Sequence, residues 1–224
     1  MPNKHPQYRL YEMFPGLLVW GTFILTVLLS IFAPSFTLYL ITLFSLFWLF
    51  RVVYFVFYIH LAWRNYNQDI KINWLEKLKG EKGYENLYHL IFLPTSTESL
   101  GVLRTTFEGL KNSHYDPRKM IIVLSGEERC YENCTRNIEA IQKEYGSYFF
   151  KLLTMIHPDN MAGEIKGKGA NANFAGKQAQ KTIDALKIPY ENVIVSYFDC
   201  DTIVHPQYFA CLTWTFLNHP NRLR

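Results

Sequence analysis

Hydrophobic and polar positions divide this chain in two. From Gly16 to Phe50 there is no Asp, Glu, Lys, Arg or His, and a helix needs roughly 20 apolar residues to cross a bilayer. Gly16 to Ala33 is long enough for one span, Pro34-Ser35 predicts a tight break, and Phe36 to Trp63 predicts a second span. The apolar stretch outruns the core of a secretory signal, so it reads as a retained anchor. Arg51 sits about 22 Å along the second span, at roughly 1.5 Å per residue, near the far interface where its side chain snorkels. Trp48, Tyr54, Tyr58 and Trp63 read as an aromatic belt. Lys4 and Arg9 precede the hairpin, Arg64 and Lys71 follow it, and the turn carries no charge. The positive-inside rule then puts both ends, and everything after them, on the cytoplasmic side.

Beyond the hairpin the period changes. Residues 69 to 79 predict a helix with Ile70, Trp74, Leu75 and Leu78 on one face and Lys71, Lys77 and Lys79 largely elsewhere. It either lies on the membrane interface or packs on the soluble part. Short apolar runs then alternate with helical spacing. Strands are predicted at Leu87 to Leu93, Met120 to Leu124, Tyr148 to Ile156 and Val193 to Phe198. Helices are predicted at Thr97 to Asn112, Arg129 to Tyr145 and Ala170 to Leu186, with a last one opened by His205-Pro206. Such alternation implies an α/β domain with a parallel sheet and crossover helices. The chain thus reads as a tail and hairpin over 1–63, an interfacial linker over 64–85 and an α/β domain over 86–224. Ligands bind parallel sheets at the carboxyl ends of their strands. Three polar clusters fall there: Pro94-Thr95, Ser125-Gly126-Glu127-Glu128 and Asp199-Cys200-Asp201.

Composition removes some partners. A net charge of +4 without a basic stripe interleaved with aromatics excludes a nucleic-acid partner. Cys130, Cys134, Cys200 and Cys211 show no second pair at zinc spacing and read as free thiols. Asn133-Cys134-Thr135 matches a glycosylation sequon that is silent on a cytoplasmic side.

The polar clusters carry the candidate chemistry. Gly163 to Gly169 contains Lys166 and Lys168 and leads into a helix. It suits an anion such as a diphosphate or, equally, is a loop with solvated lysines. It lacks the ending of a P-loop. Asp199 and Asp201 follow an apolar strand, and in extended chain residues i and i+2 point the same way. Two carboxylates on one side suit Mg²⁺ or Mn²⁺; a turn or helix cap is the alternative. His205 could add a ligand but reads better as the cap of the following helix. Trp214 and Phe216 read as core rather than acceptor-side residues.

In order and spacing these segments resemble family 2 glycosyltransferases. Pro94-Thr95-Ser96-Thr97-Glu98 is similar to their PTxNE segment, Lys168 to Asn173 to their KAGNLN-like segment, and Phe198-Asp199-Cys200-Asp201 to their DxD strand end. The match covers about residues 86 to 215 and follows a hairpin like that of cellulose-synthase-like members. The resemblance implies a glycosyltransferase-A fold, a donor that is a sugar nucleotide (a UDP-sugar), and Mn²⁺ or Mg²⁺. Thr95 and Glu98 would lie at the nucleoside, Lys168 at the diphosphate, Asp199 at the ribose or metal, and Asp201 on the metal. It further implies inverting transfer to a glycan or lipid-linked acceptor. Where the family has Asp-Asp-Gly, this chain has Ser125-Gly126-Glu127-Glu128. Glu127 or Glu128 would take over the base contact, or both serve the first turn of a helix. The family's catalytic base and QxxRW motif lie further on than Arg224, so this piece is expected to bind donor without completing transfer. Two other readings exist. One is a non-catalytic, membrane-tethered nucleotide-binding subunit. The other is a haloacid-dehalogenase-like phosphatase, in which Asp199 is the nucleophile of Asp199-Cys200-Asp201-Thr202-Ile203-Val204.

Overall fold

The computed structural model describes residues 6–165 and 167–221. Lys4 and Lys166, invoked above, lie outside the described residues. The chain forms two compact units, dividing between Ile72 and Asn73.

The first unit is a pair of helices, α1 (Pro6–Phe32) and α2 (Pro34–Asp69). Ala33 leaves the helical region with φ −143° and ψ 64°, and Pro34 starts α2, where its missing N–H removes nothing. Thr37 is buried at this turn and donates its hydroxyl to the Ala33 carbonyl at 3.2 Å. Both helices are long and apolar enough to cross a membrane, with mean hydropathy 2.0 and 2.1, and neither apolar stretch is buried within the protein. The helices outrun the apolar stretch at both ends: α1 starts ten residues before Gly16, and α2 continues past Trp63 to Asp69. Helix propagation adds a hydrogen bond per residue once the nucleus exists, so polarity alone does not stop it.

The second unit is α/β. Its strands are β1 (Tyr88–Pro94), β2 (Met120–Glu127), β3 (Lys151–His157) and β4 (Val193–Tyr197). They form one parallel sheet in the order β3-β2-β1-β4. The helices are α3 (Trp74–Lys79), α4 (Leu100–Lys111), α5 (Tyr131–Tyr145), α6 (Lys168–Ala185) and α7 (Tyr208–Asn218). Strand parity sorts the core. Leu90 and Phe92 with Ile121 and Val123 face Ala175, Ala179 and Ile183 of α6. On the other face His89 meets α7 and Gly126 meets α5. Both faces are covered, as continuous apolar strands require.

Several boundaries differ from the sequence pattern. The predicted helix at 69–79 is interrupted, because Asn73 caps α3 by accepting the Glu76 N–H at 3.4 Å. α3 packs on α7: Trp74 and Trp214 centroids are 5.5 Å apart, and Lys77 lies 3.6 Å over the Trp214 ring. Of the two readings above, packing on the α/β unit is the one observed. α4 starts at Leu100 rather than Thr97 because Ser99 caps it. A 3₁₀ turn over Glu128–Cys130 delays α5 to Tyr131. β2 continues through Glu127 because β3 pairs with it that far. α6 begins at Lys168, two residues earlier than expected, and α7 begins only at Tyr208, leaving Pro206 in a preceding turn.

Candidate functional site

The sheet order fixes where a ligand can approach. The chain steps outward from β1 to β2 to β3, then α6 returns it to the far side of β1. The direction reverses between β1 and β4, and the crevice at their carboxyl ends is the usual ligand position in such sheets. Pro94-Thr95 and Phe198-Asp199 lie there. The sheet pattern extends into this rim through Thr95 N–H to Ser125 C=O at 2.9 Å and Phe198 N–H to Phe92 C=O at 3.0 Å.

The acidic segment is a turn, not extended chain. The Asp199 carbonyl accepts the Thr202 N–H at 3.0 Å, with Asp at the first turn position, where it is favoured. Asp199 and Asp201 are exposed while Cys200 is 2% exposed. Thr106 of α4 anchors the turn from behind, donating to the Cys200 carbonyl at 2.6 Å. Lys168 Nζ reaches across from α6 to Asp199 Oδ1 at 2.6 Å, and this pairing raises the lysine pKa. Tyr197 donates its hydroxyl to the Lys168 carbonyl at 3.4 Å. No described residue pairs with the Asp201 carboxylate, and no three His, Cys, Asp or Glu among the described residues form a metal cage.

Thr95 and Glu98 sit on the opposite wall but face each other. Glu98 Oε2 accepts from the Thr95 hydroxyl at 3.1 Å and from the Ser96 N–H at 2.6 Å. Partial burial pushes the Glu98 carboxyl up, but the Ser96 N–H, its own N–H and the Thr95 hydroxyl outweigh this and hold it below its usual range. The Cys200 thiol is buried against the same carboxylate. Burial, reinforced by the Glu98 charge, pushes that thiol up to about 12, so it stays protonated. One carboxylate therefore organises its own loop and faces the acidic turn.

Residues that the sequence pattern did not assign to the site hold this loop in place. Asn133 Nδ2 donates to the carbonyls of Ser96 and Glu98 at 3.1 and 3.2 Å, and Asn137 Nδ2 donates to Glu98 C=O at 3.0 Å. Cys134 Sγ lies 3.3 Å from the Ser96 carbonyl. These three lie on one face of α5, at i, i+1 and i+4 spacing, which was the available signal. The Asn133 amide of the sequon is thus tied into the fold. A second clasp joins Ser125 at the end of β2 to Asn171 of α6: the Ser125 hydroxyl donates to Asn171 Oδ1, and Asn171 Nδ2 returns a bond to Ser125 C=O at 3.2 Å.

Glu127 and Glu128 part company. Glu127 pairs with Arg129, while Glu128 accepts the Asp159 N–H at 2.6 Å and so ties the turn after β3. Beside them a groove of about 530 Å³ is lined by Ser96, Thr97, Arg129, Cys130, Tyr131 and Asn133 among others. His205 Nδ1 accepts the Gln207 N–H at 3.2 Å just before α7, a capping-type role one turn from the acidic segment. None of the four cysteines, all among the described residues, is in a disulfide. No family model matches the chain, and no curated protein matches it closely enough to assign a relationship.

Proposed function

We propose that the α/β unit is the donor-binding part of a glycosyltransferase that uses a sugar nucleotide, taken to be a UDP-sugar, and is anchored by the α1–α2 hairpin with the α/β unit on the cytoplasmic side. The observation that carries this reading is the meeting of Lys168 with Asp199, beside Asp201, at the point where strand order reverses. An ammonium for phosphate oxygens and carboxylates for a hard cation are the groups a nucleoside diphosphate needs. The glycosyltransferase-A form of the sheet belongs to the same proposal.

The donor set fits Mn²⁺ or Mg²⁺ in kind. Such ions are held by one or two carboxylates, with water and diphosphate oxygens completing the shell, so a cage of three protein ligands is unnecessary. Asp201 and, once released by Lys168, Asp199 would hold the ion, which would neutralise charge on the departing diphosphate. Ser96, Cys130 and Tyr131 line the groove offered to the nucleoside, and Glu98 shapes the loop that bounds it. The acceptor would be a glycan or a lipid-linked sugar, attacking the anomeric carbon from the side away from the diphosphate.

The test is calorimetric titration of the detergent-solubilised chain with UDP, with and without Mn²⁺. Binding is expected to depend on Mn²⁺ and to weaken by about tenfold or more in Asp201→Asn, since lost metal partners typically cost that much. Equal UDP affinity with and without the cation, or in wild type and variant, overturns the reading.

A further inference from the structure

We propose that Lys168 is an exchange group. It neutralises Asp199 until a nucleoside diphosphate arrives, so the site takes up its cation together with the nucleotide rather than before it. The inference rests on the donor-site reading above and concerns how that site is regulated.

Four observations lead there. First, Lys168 Nζ occupies Asp199 Oδ1 at 2.6 Å, so one of the two exposed carboxylates at the strand end is already compensated. A carboxylate that shares its charge and one oxygen with an ammonium is a poor ligand for a divalent cation. Second, the pair is open to solvent, with side chains 67% and 57% exposed, so separating it costs little. Third, the lysine backbone is fixed while its side chain is not. Lys168 opens α6, its carbonyl accepts from Tyr197, and the four-carbon stem is free to swing. Gly167, at φ +154°, makes the bend into the helix with a backbone that other residues rarely adopt. Fourth, no described residue compensates Asp201, so releasing Lys168 changes the local pair from one uncompensated carboxylate to two.

A diphosphate entering this rim competes with Asp199 for the ammonium. When Lys168 moves to the phosphate oxygens, Asp199 is freed beside Asp201 and the cation gains its second carboxylate. Nucleotide and cation therefore favour each other, and by linkage the coupling is the same in both directions. In the empty site Lys168 opposes the cation, and in the filled site it supports the nucleotide. A residue with only a structural role would move both affinities the same way.

The experiment measures Mn²⁺ binding by electron paramagnetic resonance and UDP binding by calorimetry on the full chain in nanodiscs, for wild type, Lys168→Gln, Lys168→Arg and Lys177→Gln. Lys177, also exposed on α6, controls for the general loss of one positive charge. In Lys168→Gln, Mn²⁺ alone is expected to bind roughly three times more tightly, the scale of one exposed ion pair. UDP in the presence of Mn²⁺ should bind about tenfold more weakly, the scale of one charge-assisted phosphate contact, and the coupling between the two should shrink. Lys168→Arg should restore the wild-type pattern, and Lys177→Gln should leave both affinities within a factor of two, as expected for a remote exposed charge. If wild type binds UDP with Mn²⁺ but Lys168→Gln leaves Mn²⁺-alone affinity unchanged or lower, the exchange is wrong and the donor site stands. A wild-type chain that binds no UDP at any Mn²⁺ concentration overturns both.

Discussion

Cys200 separates the two aspartates and is the one member of the trio turned inward. Its burial, and the Thr106 bond to its carbonyl, pin the turn so that both neighbours project to solvent. Exposed, buried and exposed positions thus follow one another through a turn, with an apolar residue as its anchor. His89 is the counterpart deep in the sheet. It is fully buried between Tyr115 and Phe209, with Nε2 2.8 Å from Thr213 Oγ1 and Nδ1 without a described partner. Burial lowers its pKa from 6.5 to about 3. Between those values the unfolded chain binds a proton at this position and the folded chain does not, so stability falls as pH drops. The slope is about 1.4 kcal/mol per pH unit. His89→Gln cannot titrate, and its stability should decline less steeply between pH 6 and 4 in urea melts. Parallel pH profiles would mean that His89 is protonated in the fold.

At the scale of elements, the fit between α5 and the sheet determines how the Thr95–Glu98 loop is held. Gly126 faces that helix: a Cβ there would come within 2.8 Å of both Cys134 Cβ and Ile156 Cδ1. Gly126→Ala should therefore push α5 away and cost roughly 1–3 kcal/mol of stability, as overpacking does. Because Asn133 and Asn137 ride on α5, hydrogen exchange in residues 95–99 should accelerate in the same variant, whereas exchange in α6, on the opposite face, should not. Uniform acceleration across the unit would break the proposed link between this contact and the loop. Helix starts tell a related story. Caps at Asn73 and Ser99 and the 3₁₀ turn before α5 set boundaries that apolar periodicity alone placed several residues away. The early start of α6 also has a consequence for the site, since it turns Lys168 from a loop residue into the first residue of a helix, with a defined direction.

At the scale of the molecule, the two units have opposite surface chemistry. Leucine, phenylalanine, tryptophan and valine side chains of α1 and α2 are exposed along almost their whole length. Monomers in water rarely expose more than a few hundred Å² of apolar surface in one patch, and two helices exposed in this way are the feature that a bilayer would cover. The full chain should remain with membranes after an alkaline carbonate wash, and a variant lacking residues 1–72 should be released. Retention of the shortened chain would move the membrane contact into the α/β unit. Much of this organisation is written in local pattern. The uncharged run with its Pro34 break determines two long helices, and the alternation of apolar runs with helical spacing determines a parallel α/β sheet, because each depends only on neighbours along the chain. Local pattern also marked Pro94-Thr95, Lys168 and Asp199-Cys200-Asp201 as strand-end or loop chemistry. Only the tertiary structure decided the return of β4 to the side of β1, the pairing of Lys168 with Asp199, the hold of Asn133 and Asn137 on the Thr95–Glu98 loop, and the seating of α3 on α7. Those outcomes depend on which residues far apart in sequence share one desolvated space, and no periodicity along the chain encodes that.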